Sequence, residues 1–229
     1  MTRFIIAAFV VLSTMPWSAQ ETRASEPCVQ PGNRNPRLLP IDEGASRPEF
    51  AAYRARLQAA VARRDVDAVI AEIDPGIRLG FDASGGVAAF RTLVVERSES
   101  WEELRVVLAM GGTFSSPAAF AAPYVYARWP EQRDSFECAA ITARNVRLRR
   151  APRLDAPITA LVSHPIVRLL QTGTDKQWSH VRLGDGRTGY VWHAYVRSPV
   201  DHRALFNLVD GRWRMDGVRG WRLTVERGL

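Results

Sequence analysis

WSHVRLGDGRTGYV (residues 178–191) lies within a segment, 141–199, where short alternating apolar runs, glycine-rich turns and aromatics leave no room for a helix. Trp178 opens a strand with Val181 and Leu183, Asp185 and Gly186 supply a hairpin turn, and Tyr190 to Trp192 resume as strand. Working outward, Val146 and Leu148 point one way and Arg147 and Arg149 the other, as in a half-buried strand. Residues 158–162 and 166–170 add two further strands. Five short strands in fewer than about sixty residues suit a small closed sheet.

The flanks read differently. Four prolines and few large apolar residues over 26–44 indicate a linker or extended arm. Ser46 and Glu49 then stand at capping-box spacing, and Phe50, Tyr53, Leu57 and Val61 recur at helical intervals, which predicts a helix over 47–64. Asp65 caps a second helix, with Val66, Val69, Ile70 and Ile73 on one face, ended by Asp74, Pro75 and Gly76. Ile77, Leu79 and Phe81 alternate as a strand before the turn residues Asp82, Ser84, Gly85 and Gly86. Helices follow over 87–96 and, capped by Ser100 with Glu103 three residues on, over 101–110. Strands are expected over 121–129 and 136–142. In ALFNLVDGRWRM (204–215), Asp210 and Gly211 between two apolar runs signal a hairpin, with Trp213 and Met215 on one side. Whether this tail adds strands to the helical region, making the 141–199 segment an insertion, is open at the level of sequence.

The fold class is therefore α+β. The expected organisation is an export signal (1–24), a linker or arm (25–45), a helix-rich α+β domain (46–138), a small all-β barrel (139–199) and a C-terminal hairpin (200–229). ARNVRLRRAP (143–152), the quoted 178–191 stretch and HAYVRSP (193–199) together resemble a bacterial Src-homology-3-like domain. That resemblance implies a binding module, with a cell-envelope ligand such as a peptidoglycan peptide, or a protein partner. The helix, helix, strand and helix order around VARRDVDAVIAEIDPGIRLGF (61–81) distantly resembles the nuclear-transport-factor-2-like cone fold over about 48–90. The alternative function it implies is a small-molecule-binding or enzymatic cone, with Phe90, Trp101, Tyr124 and Tyr126 lining a pocket and the barrel as accessory.

Catalytic chemistry finds no constellation to carry it, and no catalytic residue, cofactor or metal ligand is assigned. Gly184, Gly186 and Gly189 match the spacing of a dinucleotide-binding loop. That fingerprint needs a helix after the glycines to face a pyrophosphate, whereas Tyr190 to Trp192 continue as strand. His164, His180, His193 and His202 are not spaced as a metal-ligand pair on one helix. Neither cysteine opens a helix where a thiolate is favoured, and adjacent Glu102 and Glu103 diverge by about 100° on a helix. Aromatics are the better candidates, because flat side chains give contact area at low entropic cost. The ligand-binding set is Arg187, Tyr190, Trp192, His193 and Tyr195. Tyr190 and Trp192 share a face by alternation: outward they form a site, inward they are core.

A basic Arg3, an apolar run over 4–15 and small residues around Ala19 and Ala24 read as a cleaved export signal, so the expected location is periplasmic or secreted. The apolar run falls short of the roughly 20 residues that span a bilayer, so no stable membrane insertion is expected after cleavage. In an oxidising compartment Cys28 and Cys138 either pair or remain as two thiols. Lys176 is the single lysine among 31 basic residues. Nine arginines and Lys176 stand against Asp155, Asp175 and Asp185 over 144–199, a net +7 that equals the formal charge of the whole chain. Such a surface attracts anions, and export argues against nucleic acid as the partner. Oligomeric state is not legible.

Overall fold

The structure, a computed structural model, describes Cys28 and residues 36–80, 85–172 and 177–219, with backbone only at Gln171 and Thr172. The expected export signal and the turn residues Asp82 and Ser84 lie outside the described residues.

In chain order the elements are α1 (Pro48–Ala62), α2 (Val66–Ala71), β1 (Ile73–Leu79), α3 (Val87–Glu96), α4 (Glu99–Ala109), β2 (Thr113–Ser116), β3 (Ala119–Ala122) and α5 (Tyr124–Ala127). There follow β4 (Cys138–Ile141), β5 (Val146–Arg149), β6 (Ile158–Val162), β7 (Ile166–Thr172), β8 (Trp178–Arg182), β9 (Thr188–Trp192), β10 (Val196–Arg197), β11 (Arg203–Val209) and β12 (Arg212–Arg219). The class is α+β with two mostly antiparallel sheets, ordered β1-β12-β11-β3-β2 and β10-β4-β7-β8-β9-β5-β6.

The tail is therefore not a separate hairpin. β11 pairs with β3 and β12 runs parallel to β1, so residues after the second sheet return to fill the middle of the first. The reason is burial: Ala204, Phe206, Trp213, Met215 and Val218 join Phe50, Tyr53 and Leu57 of α1 and Leu104 and Leu108 of α4 in one core. Phe50 is its hub, with rings of Phe114, Phe120, Phe206 and Trp213 at 4.3–5.7 Å. Asp210 and Gly211 both take positive φ, 49° and 73°, the two-residue turn expected of Asp-Gly.

Local signals hold where tertiary packing agrees with them. The Asp65 carboxylate accepts from the Ala68 amide at 3.0 Å and starts α2. Neither expected capping box forms. The Ser46 hydroxyl donates to the Glu43 carbonyl at 2.7 Å, and α1 begins on Pro48. Ser100 is buried inside α4, which starts at Glu99 so that Trp101 and Leu104 reach the core. Asp74 to Gly76 do not end a helix but lie within β1, whose pairing with β12 is broken between Ile73 and Arg78 where Pro75 lacks an amide hydrogen. The strand expected over 121–129 stops at Ala122, because Pro123 has no amide hydrogen to give to a ladder and stands at the N-cap of α5.

In the second sheet Val146, Leu148, Val181, Leu183 and Val191 build a separate core. Gly189 permits its closure: a Cβ there would lie 2.7 Å from Leu148 Cγ and 2.8 Å from the Arg149 carbonyl. The arm joins the two units. The Ile166 amide donates to Pro36 and the Leu38 amide to His164, while further on Glu43 bonds Gly112 and Asp42 holds Arg54 through two hydrogen bonds. Beneath it Cys28 and Cys138 form a disulfide, packed with Leu38, Tyr124, Val125 and Ile166. A second tie is Glu103 of α4, which accepts from Arg197 of β10 at 2.9 Å and lies 3.1 Å from His202 Nδ1.

Candidate functional site

The pairings β8–β9 and β5–β9 decide what the second sheet presents outward. Trp178 stands opposite Trp192, His180 opposite Tyr190, and Tyr190 opposite Arg149. Since Val146, Leu148, Val181 and Val191 point inward, Arg147, Arg149, Trp178, His180, Tyr190 and Trp192 share the outer face. Tyr190 and Trp192 are therefore not core. Trp178 and Trp192 meet edge to face with centroids 5.3 Å apart, and His180 stacks on Tyr190 at 4.5 Å. Burial, with neighbouring Arg182 adding repulsion, pushes the His180 imidazole below its ordinary value.

At the tryptophan end of this face lies a groove of about 580 Å³, walled by Trp178, Trp192, Tyr195 and Leu154 and edged by Arg144, Arg147 and Arg149. Among the described residues its lining contains no carboxylate. Arg149 is the unusual member, because only 8% of it is exposed. It donates to the Ala156 carbonyl at 2.8 Å, and no carboxylate among the described residues pairs with it. Arg144 and Arg147 are exposed and likewise without an ion-pair partner among the described residues. A cation held in low dielectric with no counter-ion favours an anion beside it. Tryptophan faces add area for an apolar or planar group.

The five residues singled out from sequence do not gather at one place. Trp192 and the exposed Tyr195 line the groove. Tyr190 sits one step along the same face, stacked on His180. His193 Nδ1 is 2.8 Å from the Ser179 hydroxyl and does not line the groove. Arg187 belongs to the β8–β9 turn, at the far end of the hairpin, where it is held by Asp185 at 2.6 Å. Arg144, Arg147 and Arg149 were missing from that set. Their alternation with Val146 and Leu148 is visible in the sequence, but the β5–β9 pairing that brings them to the aromatics joins strands distant along the chain.

The aromatics proposed to line a cone pocket also separate. Phe90 and Trp101 are packed in the first core and Tyr124 in the cluster around the disulfide. Tyr126 is on the opposite face of the first sheet, beside a second groove of about 420 Å³. Glu102 bonds Arg105 and Glu103 bonds Arg197, so the two carboxylates diverge as the helical angle requires. Among the described residues no three of His, Cys, Asp and Glu cluster to hold a metal ion, and no helix is long and apolar enough to cross a membrane.

No family model and no curated protein matches this chain. Among solved structures it is similar to an NTF-2 like protein of unknown function from Shewanella oneidensis, with 12% identity over 75% of this chain and 94% of that one, at a TM-score of 0.30. It is similar at 11% identity and TM-score 0.30 to a Xanthomonas campestris protein described as a calcium/calmodulin dependent protein kinase II association domain, covering 83% of this chain and 95% of that one. An NTF2-like protein of unknown function from Pseudomonas putida shares 12% identity over 81% of this chain and 94% of that one, at TM-score 0.25. Overlaps of that extent carry no argument about this chain, whose α+β architecture rests on its own strand order.

Proposed function

We propose that this is an exported, non-catalytic binding protein whose second sheet is a bacterial Src-homology-3-like barrel that captures an anionic envelope ligand. The ligand class is a carboxylate-bearing peptide, either of peptidoglycan or of an envelope protein partner. One observation carries the reading: buried Arg149, with no carboxylate partner among the described residues, lines a groove walled by Trp178 and Trp192. Carboxylates of the ligand meet Arg149 and Arg147, and its apolar groups lie on the tryptophans. Arginine suits this role because its planar fork engages both oxygens of a carboxylate. The Cys28–Cys138 disulfide is compatible with an oxidising compartment.

The test is co-sedimentation of mature protein with purified peptidoglycan sacculi across a salt series, beside a folded Arg147→Ala, Trp192→Ala double variant. Wild-type binding that survives moderate salt and falls at least tenfold in the variant supports the reading. Absence of binding at low salt removes the wall peptide as ligand. Binding equally strong in the variant removes the groove.

A further inference from the structure

The second sheet ends on β6, which among the described residues pairs only with β5. The register shows where its other side points. The Arg150 amide donates to the Pro157 carbonyl, and Arg149 pairs with Tyr190 of β9. Counting by two along β5, Leu148–Ala160 and Val146–Val162 are therefore the hydrogen-bonded pairs, and Arg147–Leu161 and Arg149–Ile158 are not. The backbone N–H and C=O groups of Ile158 and Leu161 consequently face away from β5. Thr159, the extra residue of a β-bulge, donates its hydroxyl to the Leu148 carbonyl at 3.1 Å and leaves those groups untouched. Two positions beyond Leu161, the Ser163 carbonyl already accepts from Arg37 Nε of the arm at 3.1 Å, and His164 and Ile166 bond Leu38 and Pro36. Among the described residues the arm thus meets only the end of this edge and leaves 158–162 open.

Edge strands are commonly blunted by charge. This one is not: residues 156–163 include no charged side chain, and Ile158 and Leu161 are 48% and 63% exposed. Charge lies one strand further in, where Arg147 and Arg149 are the cross-strand neighbours of Leu161 and Ile158 on the outer face. Neither arginine has an ion-pair partner among the described residues, and Asp155 of the preceding loop is held by Arg153. Long acidic side chains on an added strand reach those guanidiniums over the apolar residues between. The same arginines argue against a second copy of this chain, since β6 on β6 would set two arginine rows either side of one seam with no carboxylate between them.

We propose that β6 is a docking edge that takes an extended, acidic segment of a partner protein as an added strand. Ile158 and Leu161 supply the backbone hydrogen bonds and the apolar contact, and Arg147 and Arg149 select carboxylates at alternate positions of the guest. The edge shares these two arginines with the groove but none of its tryptophans, and no residue of β6 lines the groove. It stands whether or not the groove takes a wall peptide.

The experiment is a titration of the full mature chain with the peptide acetyl-Glu-Val-Glu-Val-Glu-amide, followed by amide shifts in two-dimensional nitrogen–proton spectra. Its lysine counterpart and its fully N-methylated form are the controls, the first reversing the charge and the second removing every backbone donor. Saturable shifts centred on residues 158–162 are expected, with at least tenfold weaker binding of both controls. Leu161→Pro removes an amide that faces away from β5 and should weaken the acidic peptide at least tenfold while sacculus binding keeps its wild-type strength. If that variant does not fold, the N-methylated control against wild type decides alone. Absence of saturable shifts, shifts confined to Trp178, Trp192 and Tyr195, equal binding of either control, or edge shifts that appear on raising protein concentration without peptide would each overturn the docking edge. Edge shifts in a protein that fails to bind sacculi support the edge and remove the groove reading alone.

Discussion

Glu103 joins the two units, and removing its charge tests whether they are held together electrostatically. Its hydrogen bond to His202 comes first among the causes, and the Arg197 guanidinium adds attraction; together they hold the carboxyl down to about 2 against the ordinary 4.5, with burial opposing. A shift of that size corresponds to a ceiling of about 3 kcal/mol. The Glu103 side chain is 32% exposed, so solvent screening reduces the useful part to about 1.5–2 kcal/mol. Glu103→Gln keeps the shape and discards the charge. Urea unfolding at pH 7 should show a loss of about 1.5–2 kcal/mol, and thermal unfolding a fall of about 3–8 °C for a chain of this size. Because the folded-state value lies below the unfolded one, the stabilisation is present above about pH 4.5 and disappears as pH falls through 4.5 toward 2. The difference between wild type and variant should therefore shrink across that window. A variant within about 0.5 kcal/mol of wild type at pH 7, or a difference that persists undiminished to pH 2.5, refutes the reasoning.

Other perturbations probe the remaining contacts. The disulfide joins residues 110 apart, so reduction, or Cys138→Ser, should cost about 2–4 kcal/mol in urea titrations, below the ceiling of about 4.7 kcal/mol that chain entropy sets for a loop of that order. Phe50→Ala empties the hub of the first core, where the ring is fully buried, and should cost about 3–5 kcal/mol, read from the shift of the urea midpoint. Gly189→Ala drives a methyl into Leu148 and the Arg149 carbonyl and should cost about 1–3 kcal/mol, read from the urea midpoint; because the same strands carry the arginine–tryptophan groove, the sacculus binding proposed above is expected to weaken with it.

Periodicity and turn chemistry carried most of the local structure. Residues 87–96 show a helical pattern and form α3, Asp65 caps α2, and Asp210–Gly211 turns a hairpin, because each signal acts within a few residues. Where a local preference competed with burial it lost. Ser100 became a buried helix residue because Trp101 had to reach the core, and the 121–129 strand gave way to a turn at Pro123. The groove was half legible. Trp192 and Tyr195 stood out as aromatics, but Arg149 looked like any outward arginine of an alternating strand.

By itself the sequence determined the α+β class, the existence of a basic all-β segment and the absence of a recognisable catalytic motif, all properties of composition and short-range pattern. Tertiary structure alone decided that β11 and β12 complete the first sheet, that Arg149 is buried beside Trp178 and Trp192, and that β6 ends the second sheet. These depend on pairings between strands far apart along the chain, which are selected by the burial of whole faces. No short window of sequence contains that energy.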